Sequence, residues 1–285
     1  MVRMFLTILM IVITIPNAHA IQSTIVESEG YACMGEDKSR KQTEQQAMAD
    51  AKRSAVVNTL TYINSETKVN DFELEKDVVN AYANASVKIL EVKEARWYKD
   101  ERSGECLKTK IKAEVIPDEK TIKEAIASKT FVDNPGMPLN VRLWTDRKEF
   151  KKGDNIRIYI QGNKPFYARV HFRDARGEII QLLPNPYRAE NYFNGGVIYE
   201  IPSGNDRFEL EVSPPYGEEN ISLYASTCPL GDISLSKGGG VYQVITKEND
   251  IGIKTRGVKL KEKIEDGQVQ GSEFFEDRTT IITGQ

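Results

Sequence analysis

Histidine is nearly absent, with two in 285 residues, His19 and His171. Cysteine is scarce too: Cys33, Cys106 and Cys228. Their spacings fit no zinc motif, and past the N-terminus His171 stands alone, so a Cys/His metal cluster is not expected. Nucleophilic catalysis needs a base beside Ser, Cys or Thr. The chain carries no Gly-x-Ser-x-Gly elbow, and His171 falls among arginines on a strand, where a solvent-facing role is expected. An Asp-x-Asp-x-Asp-Gly calcium loop is missing, and Asp154 and Asp174 read as turn residues. Lys237-Gly238-Gly239-Gly240 lacks the Gly-Lys-Ser/Thr that a phosphate loop needs, and reads as a flexible loop. No cofactor and no metal are therefore expected. Excess positive charge is lacking as well: the net charge is −3, which gives no general attraction to nucleic acid. Arg169, Arg173 and Arg176 make a local basic cluster that reads as a solvated face.

Long apolar runs are confined to the N-terminus. Arg3, the apolar stretch Met4–Ile15 and the small-x-small site Ala18-His19-Ala20 have the three parts of a secretory leader. Cleavage after Ala20 and export to the periplasm, or association with the outer membrane, are expected. No membrane span is expected after leader removal, since no later run is apolar enough. No cysteine stands directly after Ala20, so a lipoprotein anchor is not expected.

The rest divides by pattern. Ile25–Met34 alternates as a half-buried strand, with Val26, Gly30, Ala32 and Met34 on one face and Glu27, Glu29, Tyr31 and Cys33 on the other. Residues 41–64 are helical in period, with an alanine-rich seam through Ala47, Ala51 and Ala55 that permits close approach to a sheet. A second helix is expected over Phe72–Asn84, then strands Val87–Tyr98 and Cys106–Ile116. In the last of these Leu107, Thr109, Ile111, Ala113 and Val115 alternate with lysines and Glu114. By that parity Cys106 and Cys33 both point away from the helix, the condition for a bridge across paired strands. Export makes a disulfide Cys33–Cys106 the expected pairing, with Cys228 a free, buried thiol. Strand, helix, strand, strand is an α+β domain, assigned to 21–117 after a leader of 1–20.

Residues 118–138 read as a linker ending in the breaker Asn134-Pro135-Gly136. From 139 to 285 short strands recur, which predicts an all-β immunoglobulin-like sandwich. Its centre is Phe166–Pro186, two apolar runs around the turn Asp174-Ala175-Arg176-Gly177. Ala168, Val170 and Phe172 are expected inward; Tyr167, Arg169, His171 and Arg173 are expected outward. Strands are expected also at Val197–Ile201, Phe208–Val212 and Ile221–Ser226, with a last one around Thr279–Thr283.

Two resemblances overlie this reading. Glu29-Gly30-Tyr31-Ala32, the helix motif Gln45-Gln46-Ala47-x-x-Asp50-Ala51 and Lys112-Ala113-Glu114-Val115-Ile116-Pro117 resemble the N-terminal domain of flagellar assembly protein T and related secreted lipoproteins. That likeness implies a periplasmic assembly role. Phe150-x-x-Gly153-Asp154-x-Ile156, Leu183-Pro184-Asn185, Gly195-Gly196, Ile201-Pro202, Pro215-x-Gly217-x-Glu219 and Thr255-Arg256-Gly257 resemble a bacterial exported domain family of unknown function. This second likeness implies a β-sandwich accessory module, also found with caspase-like peptidases and kinases, and brings no catalytic residues.

The expected function is that of a non-enzymatic envelope adaptor or assembly protein, contacting protein partners through sandwich edges and the loop Asn185–Gly196. A carbohydrate- or peptidoglycan-binding module is the first alternative, because Asn185, Tyr187, Tyr192 and Phe193 combine amides with aromatic faces. A hydrolase using paired carboxylates is the second; a pocket with facing carboxylates, one strongly perturbed, is the feature that would favour it.

Overall fold

The computed structural model describes residues 21–66, 72–126, 133–256 and 271–285. The expected leader, part of the 118–138 linker and the glycine of Thr255-Arg256-Gly257 lie outside the described residues. No helix among the described residues is long and apolar enough to cross a membrane. The molecule is mostly β, built on one large, predominantly antiparallel sheet with few helices.

The first elements are β1 (Ile21–Cys33), α1 (Arg40–Glu66), α2 (Phe72–Ala83), β2 (Ser86–Asp100) and β3 (Gly104–Ile116). A capping box starts α1: the Gln42 amide N–H donates to Ser39 Oγ (3.3 Å), and the Ser39 N–H donates to Gln42 Oε1 (2.8 Å). The seam Ala47, Ala51 and Ala55 is fully buried on the sheet, as the small side chains allow. Gly30 is where the backbones come closest; a Cβ there would lie 2.2 Å from the Ala47 carbonyl oxygen. On the opposite face Lys108 pairs with Glu29 at 2.8 Å and Lys110 with Glu27 at 3.2 Å, an exposed cross-strand ladder. β1 and β3 run antiparallel with Cys33 opposite Cys106, and the two form a disulfide. Its closed loop, 73 residues in separation, stabilises the fold by about 4 kcal/mol in the chain-entropy account. Cys228 is free and half-buried.

The later strands are β4 (Val141–Thr145), β5 (Glu149–Lys151), β6 (Ile158–Gly162), β7 (Phe166–Arg173), β8 (Ile179–Leu183), β9 (Tyr192–Phe193), β10 (Tyr199–Ile201) and β11 (Glu218–Ser226). β12 (Leu235–Gly238), β13 (Val241–Val244), helix α4 (Glu248–Thr255) and β14 (Gly271–Gly284) complete the set, with α3 (Glu119–Ile126) lying between β3 and β4. The large sheet runs β12-β13-β8-β7-β11-β14-β1-β3-β2, and β10-β6-β4 form a separate three-stranded sheet. β14 is the joint, pairing with β11 on one side and β1 on the other, so the sheet passes without a break from the early strands to the late ones. Apolar residues of the small sheet, such as Leu143, Ile158 and Ile160, share one core with Val170, Leu183, Leu223 and Phe275 of the large one.

Two expected strands differ. Val197–Ile201 shortens to β10, and Phe208–Val212 is extended but forms only an isolated bridge, Asn155 to Glu211. It hydrogen-bonds to residues 153–156 (Ile156 N–H to the Leu210 carbonyl, 2.8 Å), ahead of β6. The other face of the large sheet is covered by residues 228–256, whose Ile251, Leu230 and Val244 pack with Ile25, Tyr224 and Phe274.

Candidate functional site

The hairpin β7–β8 forms about the expected turn. Asp174 Oδ1 accepts the N–H groups of Arg176 (2.9 Å) and Glu178 (2.8 Å), and Gly177 takes φ 90°. Ala168 and Val170 face the core, as expected. The outward set is corrected. Arg169 is buried, its Nη1 donating to the Gly231 carbonyl (3.0 Å) and to Thr255 Oγ1 (3.2 Å), which pins the covering segment to the sheet. His171 is only 2% exposed, edge-on to Tyr224 at 5.4 Å. Burial, then the Arg169 charge, push its pKa down to about 3, so the ring is neutral. Both arginine and histidine are buried because residues 228–256 return over this face, so the expected solvated basic face does not extend to Arg169. Arg173 stays partly exposed, 3.6 Å from Glu248.

The loop 185–196 is not one platform. Asn185 is buried and organises the turn, accepting from the Tyr187 and Arg188 N–H groups (2.8 Å each) and donating to the Leu182 carbonyl at 2.7 Å. Phe193 is a core residue, stacked on Phe166 at 5.4 Å. Tyr192 is exposed beside Tyr167, 5.1 Å between rings. Tyr187, also exposed, lies instead on Phe208 at 6.3 Å. The aromatics expected to act together are thus divided between core, one surface pair and a separate recess.

That recess adjoins the site that sequence reading missed. Because Phe208–Val212 hydrogen-bonds to 153–156 and not to β8, a gap stays open between this run and the hairpin. The gap is a cleft of about 220 Å³, walled by Ile156, Phe172, Ile180, Leu182 and Val212. Four carboxylates line it: Asp174, Glu178, Glu211 and Glu219. No Lys or Arg does. A second recess of about 410 Å³ shares Ile180, Leu182, Leu210 and Glu211 with the first, and adds Tyr187, Phe208 and Val241.

Glu219 is the chemically distinctive group. It is 3% exposed, near the start of β11 on the same side as Ile221, Leu223 and Ala225. Burial pushes its pKa up to about 7; a Thr283 hydrogen bond lowers it, and the Asp174 charge adds to the rise. Glu219 forms no ion pair among the described residues. The parity of β11 was the signal that could have found it, since an acid stands where the core face requires an apolar residue. No group of three or more His, Cys, Asp or Glu among the described residues is arranged to hold a metal ion.

Residues 149–229 match a family described as Domain of unknown function (DUF4384). The matched stretch runs from β5 through β11 and contains every residue lining the 220 Å³ cleft. The later part of the chain therefore contains a domain of unknown function, in keeping with the likeness seen there in the sequence. Nothing supports the likeness of the earlier part to flagellar assembly protein T. No curated protein and no solved structure matches the chain.

Proposed function

We propose that this protein is a non-enzymatic adaptor exported to the bacterial envelope, that its later strands form an immunoglobulin-like accessory module following an α+β domain, and that it works through protein–protein contacts. The observation that carries this reading is the cleft between the β7–β8 hairpin and the run Phe208–Val212. It keeps Phe172, Ile180 and Leu210 only half-buried beside an exposed acidic rim. Apolar surface left open within a polar rim is the composition of a contact surface. The loop Asn185–Gly196 participates at its Tyr187 end, where the second recess adjoins the first. A glycan site draws less support, because its aromatics are divided.

The test is site-specific photocrosslinking in intact cells from Glu178, on the cleft rim, with Val57 on the exposed side of α1 as control. Stable protein adducts from Glu178 alone are expected. Equal adducts from both positions would contradict the reading.

One observation favours a second reading, a carboxylate-dependent hydrolase. Glu219, with its pKa up at about 7 and Asp174 near enough to raise it, has the character of a general acid. Hydrolysis of a glycan or peptide library that is lost in Glu219→Gln would establish that reading in place of the adaptor.

A further inference from the structure

We propose that the cleft takes the side chain of a lysine or arginine presented by an extended segment of the partner protein. This rests on the adaptor reading and names the chemistry of its partner.

Three observations converge. The walls are apolar, which suits the methylene stem of a long cationic side chain. Among the described residues the charged groups lining the cleft are all of one sign, Asp174, Glu178, Glu211 and Glu219, with no Lys or Arg. Of these carboxylates Glu219 is the least exposed, at 3%, and no cation among the described residues pairs with it. A carboxylate withdrawn from water without a counter-charge is costly, and an ammonium or guanidinium entering between these walls supplies that charge. Glu178, exposed at the rim, meets the approaching cation first. Charge complementarity thus selects a basic residue over an acidic or neutral one.

An extended segment, and not a free cation, follows from the neighbouring recess. The two openings share Ile180, Leu182, Leu210 and Glu211, so they follow one another along β8. The second has Tyr187, Phe208 and Val241 in its walls with Arg207, Glu209 and Glu211 also lining it, and suits a residue with an apolar body and a polar tip next to the basic one. A chain in β conformation places side chains at regular intervals along such a trough.

The test uses the full chain and four pools of fluorescent nonapeptides, randomised except for a central lysine, arginine, norleucine or glutamate. Lysine and arginine pools are expected to bind at least tenfold tighter than norleucine, and glutamate not at all. Glu219→Gln, with folding verified by circular dichroism, is expected to reduce the preference for lysine over norleucine to under threefold. Equal binding of lysine and norleucine, no binding by any pool, or a preference that survives Glu219→Gln overturns the proposal. The two readings fail separately. Proteins crosslinked from Glu178 whose adduct sites lack a nearby Lys or Arg leave the adaptor standing and overturn the basic side chain. Lysine selection in the pools without any cellular adduct does the reverse.

Discussion

Arg256 lies on Phe274, its guanidinium carbon 4.3 Å from the ring centroid. From that position it pairs with Glu114 of β3 and, at 3.0 Å, with Glu276 of β14. One side chain at the end of α4 thus fastens the covering segment to two strands of the large sheet. Glu114 is 1% exposed and also accepts a hydrogen bond from Ser23 Oγ at 2.7 Å.

Removing one partner from a buried ion pair leaves the other charged and dry. Arg256→Ala is expected to cost about 3 kcal/mol, read from the denaturation midpoint. Arg256→Lys should recover less than half, because an ammonium lacks the fork that reaches two carboxylates and the flat face that lies on Phe274. An Ala variant as stable as the parent would show that the pair is not what fastens this segment.

Gly30 gives a second prediction. A methyl group there would meet the Ala47 carbonyl oxygen and the Ala51 nitrogen, both at 2.2 Å and both backbone atoms. α1 must lift from β1, so Gly30→Ala should cost about 2–3 kcal/mol. Gly204→Ala, in open space, should change nothing measurable.

His171 makes stability depend on acid. Its pKa falls from 6.5 when exposed to about 3 when folded. Between those values the unfolded chain binds the extra proton, so this contribution is complete above pH 6.5 and is lost as the pH falls toward 3. His171→Leu should flatten the decline of melting temperature between pH 6.5 and 4. An unchanged slope would show that His171 does not report the burial described.

Glu219 acts in the opposite sense. Its folded pKa of about 7 lies above the ordinary 4.5, so stability is present below pH 4.5 and lost as the pH rises through 7. Glu219→Gln should therefore melt higher than the parent at pH 8, on the order of 3 °C, and match it at pH 5. The same charge that destabilises the free protein is the one available to a cationic ligand. Binding of a lysine peptide should accordingly strengthen between pH 6 and 8.

Much of the scaffold was legible because it rests on local pattern. The alternation of β3, with Leu107 to Val115 on one face and the lysines on the other, gave both the strand and the facing of Cys106. The same parity on β1 gave the disulfide. Alanines at helical spacing announced α1, and Asp174 to Gly177 announced the hairpin turn. What stayed hidden depends on contacts distant in sequence. Arg169 and His171 alternate outward on β7, and nothing local says that residues 228–256 will return over them. Phe208–Val212 has strand composition, yet bonds ahead of β6 and leaves the cleft open. The span of β14 across both β1 and β11 is likewise a matter of pairing that composition does not express. Glu219 was the exception, since its place on the core side of β11 could be read from Ile221, Leu223 and Ala225.

The measurement that bears most directly on the whole account is photocrosslinking in intact cells from Glu178, with the adduct site on the captured protein sequenced. The account predicts a defined partner joined next to a lysine or arginine, and loss of that adduct in the Glu219→Gln background. Adducts no more frequent than those from Val57, or adducts unaffected by Glu219→Gln, would contradict it.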